Sequence, residues 1–211
     1  MHLKGMTLIM KIRIDLKILF FLALFYFTKQ IKIYLLVLGF AFLHELAHML
    51  ISLILGFKPR SMEIMPFGFS LNLTPKKNDF KTKIKKSNLV ELKYIYVAIA
   101  GPLLNLIIAA VFSYISLKVN SEIIDLITYS NLIIFIFNLI PIYPLDGGRV
   151  LYSALKINKG DIIAEKHMNI IKETTIILLT IISSILILYL KNIAILFIII
   201  YLWILTWKIK E

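Results

Sequence analysis

The chain has 211 residues, 60% of them hydrophobic and 17% charged, with no cysteine and a formal net charge of +12. So apolar a composition excludes an ordinary soluble domain and points to an integral membrane protein. Without cysteine there are no disulfides and no thiolate metal ligands. The basic balance fits positive loops on the cytoplasmic side of a membrane, so no nucleic-acid partner is expected.

Lys11, Arg13 and Lys17 precede the apolar run Ile18–Phe27, a layout like that of a secretory leader. No small-x-small cleavage site follows, because Thr28, Lys29 and Gln30 come next. The run therefore predicts a retained first span over Leu16–Thr28. Just before it, Ile12, Ile14 and Leu16 alternate with charges, the period of a strand at the membrane interface.

The second predicted span, Ile31–Phe57, carries the pentapeptide His44-Glu45-Leu46-Ala47-His48. Ionisable groups are expensive in hydrocarbon and mark function by default. On a helix, positions i and i+4 lie one above the other on one face. Two imidazoles at that spacing can ligate one zinc ion, while the carboxylate between them reaches an attacking water. In the loop that follows, Phe67, Phe69, Leu71 and Leu73 alternate with Gly68, Ser70 and Asn72, which predicts a strand or small hairpin. Two uses fit it equally: backbone pairing with an extended substrate, or a hairpin lying on the membrane. The lysines from Lys76 to Lys86 suit contact with anionic lipid.

A third span is expected over Tyr94–Leu117, with Ala100-Gly101-Pro102-Leu103-Leu104-Asn105 near its start. Gly101 permits close helix approach, and Pro102 starts or kinks the helix. Asn105, and Asn138 one span later, are amides that need partners in hydrocarbon. Substrate backbone or a neighbouring helix would serve.

The fourth span, Ile123–Ile140, runs into Asn138-Leu-Ile-Pro141-Ile-Tyr-Pro144-Leu145-Asp146-Gly147-Gly148-Arg149. Pro141 and Pro144 break the helix, and Gly147 and Gly148 open backbone conformations closed to other residues. Alone, this stretch reads equally as a surface turn or as an unwound segment presenting Asp146. Because a catalytic zinc takes three protein ligands and His44 and His48 supply two, Asp146 is favoured as the third. Two short spans, Thr174–Tyr189 and Ile193–Trp207, complete a set of six. His2 and His167 read as solvated. With the N-terminus inside, 20 Lys and Arg fall on the cytoplasmic side against 4 outside, which predicts a multi-pass protein with both termini in the cytoplasm.

The HELAH helix, the Ala-Gly-Pro-x-x-Asn stretch and the NLIPIYPLDGGR segment together resemble the site-2 protease family (peptidase M50) of intramembrane zinc metalloproteases. The resemblance is closest to its sporulation branch, which processes a sigma-factor precursor. It implies one zinc held by His44, His48 and Asp146, with Glu45 as general base. It implies substrate contact by Asn138, although the Asn-Pro-Asp-Gly region is spread out here as Asn138, Pro141, Asp146 and Gly147. Asn105 and Phe67 are further candidates to touch substrate. The implied partner is a membrane-associated protein substrate, a pro-sigma factor or an anti-sigma factor, in a bacterial cell membrane, with room for inhibitory membrane proteins.

The expected fold is an all-α integral membrane protein of about six transmembrane helices. A small membrane-associated hairpin or strand follows the second helix. Residues 1–211 are expected to form a single polytopic protease domain with no CBS or PDZ domain. A metal transporter lined by His and Asp is the alternative from another class, but it leaves Glu45 between the histidines unexplained. An inactive scaffold leaves the whole motif set unexplained.

Overall fold

The structure is a computed structural model, and it describes residues 11–27, 29–65, 68–74, 84–190, 200 and 203. Phe67, most of the lysine run and most of the predicted last span lie outside the described residues. The chain divides into two compact units, residues 1–135 and 136–211.

The first unit opens with β1 (Lys11–Ile14) and the short helix α1 (Lys17–Phe27). Helix α2 (Ile31–Ile54) follows, and the stacked rings of Phe25 and Tyr34, 4.5 Å apart, pin its start to α1. Its 24 residues extend about 36 Å at 1.5 Å per residue, enough to cross a hydrocarbon core of about 30 Å. The helix closes at Gly56, whose φ of +85° reverses the chain. Gly56 donates to the Leu53 carbonyl and Phe57 to that of Ser52, the paired bonds of a Schellman stop.

Strands β2 (Lys58–Met65) and β3 (Gly68–Thr74) come next and pair antiparallel. β1 adds to β2 in parallel, giving a three-stranded sheet of order β1-β2-β3. The part of the alternating stretch from 68 to 73 falls on β3. The sheet is one strand wider than a hairpin because the alternating residues ahead of α1 join it. β3 packs against α2.

Helix α3 (Ile84–Ser116) is 33 residues long and lies along α2. It begins ten residues before the predicted start, so Pro102 lies inside it rather than opening it. A proline in a helix interior removes one backbone donor and crowds the carbonyl four residues back. The helix absorbs this next to Gly101. Helix α4 (Glu122–Asn138) completes this part of the chain and runs across the boundary between the units.

In the second unit, residues 139–145 form tight turns, and helix α5 (Asp146–Lys159) starts directly from them. Helix α6 (Asp161–Leu190) follows after Gly160. The hydrophobic core of this unit gathers Ile142, Leu145 and Ile176, with Phe137, Ile140 and Leu179 around them. Neither α5 nor the first turns of α6 is among the predicted spans. Tyr152 ties α5 to α6 by donating to Asp161 at 2.7 Å, a bond that pushes its phenol up to about 12.

Three described helices are long and apolar enough to cross a membrane: Ile31–Ile54, Asn88–Ser116 and Asp161–Tyr189. Their outer faces are lined by exposed large apolar residues such as Leu50, Ile107 and Ile181. Water disfavours such continuous apolar surface, and lipid accepts it. This is a membrane protein. Among the described residues the other helices fall short of that length, α1 with 11 residues and α4 with 17.

Candidate metal centre

His44 and His48 occur one turn apart on α2, and both are buried. Each imidazole is fixed by α3. His44 donates from Nδ1 to Asn105 Oδ1 at 2.5 Å, and His48 donates from Nδ1 to the Val97 carbonyl at 2.6 Å. Val97, Gly101 and Asn105 are spaced i, i+4, i+8, so they form one vertical stripe on α3. The stripe runs opposite to the histidine pair, so that the earlier histidine meets the later residue.

With both Nδ1 atoms donating, each neutral ring presents a lone pair at Nε2. The two Nε2 atoms stand 3.0 Å apart. That is hydrogen-bond length, yet neutral rings of this tautomer have no proton to share there. Two facing lone pairs repel, and a cation between them removes the repulsion. The separation is near the roughly 3.3 Å expected for two nitrogens on one tetrahedral zinc with Zn–N bonds of about 2.0–2.1 Å.

Gly101 completes this cradle. A Cβ there would lie 2.6 Å from His44 Nε2 and closer still to His48 Nε2. The space in front of both ligand atoms exists because residue 101 has no side chain. From the sequence, packing was the favoured role for Gly101. The contact it makes is with the imidazoles themselves.

Asn105 is fully buried, and its amide is committed at both ends. Oδ1 accepts from His44, and Nδ2 donates to Asn131 Oδ1 at 2.8 Å. Of the two partners expected for Asn105, substrate or a neighbouring helix, the structure shows the helix: its amide meets His44 on α2 and Asn131 on α4. Asn131, also fully buried, escaped the sequence reading. A single amide inside an apolar span gave no spacing signal. Glu45 follows His44 on α2 and is half-buried.

In the second unit Asp146 is the first residue of α5 and is buried. A carboxylate there is favoured by the unpaired N–H groups of the first turn. Arg149, one turn on, lies 4.0 Å away. Gly147 and Gly148 are helical here, so their role is not an unusual backbone conformation. A Cβ at 147 would strike the Leu139 carbonyl and one at 148 the Ile142 carbonyl. Both glycines let the start of α5 press onto the turns that precede it. Asn138 closes α4 and is half-buried.

His44 and His48 in the first unit, and Asp146 in the second, are buried groups that can each offer a metal ligand atom. Imidazole and carboxylate donors, with no sulfur, suit zinc, and the cradle at Gly101 fits an ion.

The chain, with helices of membrane-crossing length and a buried histidine pair, is similar to several known proteins. Peptidase family M50 matches residues 115–182. A Synechocystis protein named as a zinc metalloprotease is 36% identical over 58% of this chain and 32% of its own length. Stage IV sporulation protein FB of Bacillus subtilis is 28% identical over 71% of this chain and 49% of its own length. A zinc metalloprotease of Methanocaldococcus jannaschii is 29% identical over 65% of this chain and 38% of its own. The site-2 protease structure from Methanocaldococcus jannaschii shares the fold, with a TM-score of 0.63, 22% identity and coverage of 93% of this chain and 89% of that one. The chain resembles peptidase family M50. It spans half or less of the length of the curated relatives it matches.

Proposed function

We propose that this chain is an intramembrane zinc metalloprotease that hydrolyses a peptide bond of a membrane-associated protein within or next to the bilayer. The observation that carries the proposal is the pair of Nε2 atoms turned together over Gly101, with both Nδ1 protons already spent on α3. His44, His48 and Asp146 hold one zinc.

When bound, zinc would supply Lewis acidity for the scissile carbonyl and lower the pKa of water toward neutrality. Glu45 takes the proton from the attacking water and delivers it to the leaving amine. Water adds to the carbonyl carbon, the C–N bond breaks, and the products are a carboxylate and an amine.

The open edge of β3 offers backbone groups to an extended substrate. Among the described residues no strand pairs with that edge, and β3 lies against the helix carrying the histidines. Strand addition would unwind a helical substrate, which hydrolysis requires. Asn138 contributes to substrate positioning. The substrate is a sporulation pro-sigma factor, a reading supported by the likeness to Stage IV sporulation protein FB; an anti-sigma factor is the alternative substrate. The Lys and Arg distribution supports a multi-pass arrangement with both termini in the cytoplasm.

The test compares the wild type with Glu45→Gln, each purified in detergent, assayed for zinc and incubated with a membrane-tethered pro-sigma substrate. Equal zinc is expected in both, with cleavage about 10²–10⁴-fold slower in the variant. Zinc flux through reconstituted vesicles that survives the substitution, without cleavage by the wild type, would establish a transporter instead. A wild type without zinc overturns the proposal.

A further inference from the structure

We propose that Asn131 on α4 is a positioning residue for the metal: acting through Asn105, it holds His44 in the tautomer that can ligate. The proposal rests on the zinc reading of His44. Every atom in it belongs to the first unit.

The hydrogen bonds form a directed chain. Asn131 Nδ2 donates to the Ile127 carbonyl at 2.9 Å, Asn105 Nδ2 donates to Asn131 Oδ1 at 2.8 Å, and His44 Nδ1 donates to Asn105 Oδ1. The anchor is a backbone carbonyl, which can only accept. It obliges Asn131 to turn its NH₂ toward Ile127 and its oxygen toward Asn105. Asn105 must then offer NH₂ to Asn131 and oxygen to His44. His44 must place its proton on Nδ1, which leaves the Nε2 lone pair for metal.

Reversing one amide would face two donors or two acceptors in a buried place. Asn105 and Asn131 are both 0% exposed, so water does not relieve the mismatch. The two ligands thus reach the same result by different routes. His48 meets a backbone carbonyl, that of Val97, directly. His44 meets one through two amides. A direct carbonyl contact needs no supporting residue, whereas the amide route fails if either side chain is lost.

The test uses the full chain in detergent. Zinc affinity is measured by chelator competition for the wild type, Asn131→Leu and Asn131→Asp. A buried neutral Asp can still donate to Ile127 and accept from Asn105, whereas Leu can do neither. We expect Asn131→Leu to weaken zinc binding by about 10–100-fold, the usual effect of losing an outer partner of a metal-ligating histidine. Asn131→Asp should restore most of it.

The second readout is ¹⁵N NMR of the metal-stripped wild type with labelled histidine, at about pH 8 where imidazoles are neutral. It should show the His44 proton on Nδ1. Unchanged zinc affinity in Asn131→Leu overturns the proposal, as does equal weakening in both variants. A His44 proton on Nε2 overturns it even if the leucine variant fails to fold. A wild type that binds no zinc would overturn the metal reading itself, while a His44 proton on Nε2 would still overturn the role given to Asn131.

Discussion

The Nε2 atoms of His44 and His48 stand 3.0 Å apart, directly over the Cα of Gly101, where any side chain would touch both. Ligand geometry and glycine are therefore one feature: α2 supplies the nitrogens, and α3 supplies the space.

Gly101→Ala should abolish that space. The methyl group would displace the imidazoles or the ion, and zinc affinity should fall by about 100-fold, the upper end of what loss of a supporting residue does. The overpacking itself should cost about 1–3 kcal/mol. Gly39→Ala is the matched control, because a Cβ there meets nothing within 4 Å. It lies inside α2, so the substitution should leave zinc unchanged and stabilise the helix by up to about 1 kcal/mol. Zinc titration and thermal unfolding of the two variants side by side check this.

Gly148→Ala should destabilise by a different route. The atoms a Cβ would meet are backbone atoms of Ile142 and Tyr143, not the ends of flexible side chains. Backbone in a tight turn cannot swing aside, so the start of α5 must lift off the turns beneath it. A loss of about 1–3 kcal/mol is expected, with reduced zinc content because Asp146 is carried on the same turn. An unfolding transition and zinc content equal to wild type would contradict it.

The histidine pair was legible in the sequence because its chemistry is written in short spacing, whereas Asp146 stood out only because two imidazoles call for a third ligand. An i, i+4 pair of imidazoles beside a carboxylate is costly in hydrocarbon unless it binds a metal. Gly101 and Asn131 were not legible, because their roles depend on which helix faces them. A glycine in a span usually means packing, and one asparagine means little until its partner is known. Helix α5 was not legible for a local reason. Pro141, Pro144, Gly147 and Gly148 look like helix breakers, yet the two glycines sit inside the first turn of α5, where they are needed for closeness rather than for turning. Pro102 lies inside α3, as it does inside the span expected over Tyr94–Leu117.

Stripping zinc should lower the unfolding temperature of the wild type. An ion that binds only the folded form contributes about 2.7 kcal/mol when present at 100 times its dissociation constant. His48→Ala removes one ligand, so its unfolding temperature should be nearly indifferent to chelator. A chelator effect of equal size in both proteins would place the stabilising ion elsewhere.

The last prediction concerns lipid. Ile181 lies in the apolar part of α6, 56% exposed, while Ser183 on the same helix is buried. If that outer face meets hydrocarbon, Ile181→Lys places an ammonium group among acyl chains. The cost near the centre of a span is about 2.5–3.5 kcal/mol, enough to change the inserted fraction of a helix markedly. Lys166, near the start of α6, can extend toward headgroups and carries no such penalty. Membrane insertion of the full chain, read by glycosylation tags placed after α6, should fall for Ile181→Lys and not for Ile181→Leu. Equal insertion of both would mean that the exposed face of α6 is covered by protein, not lipid.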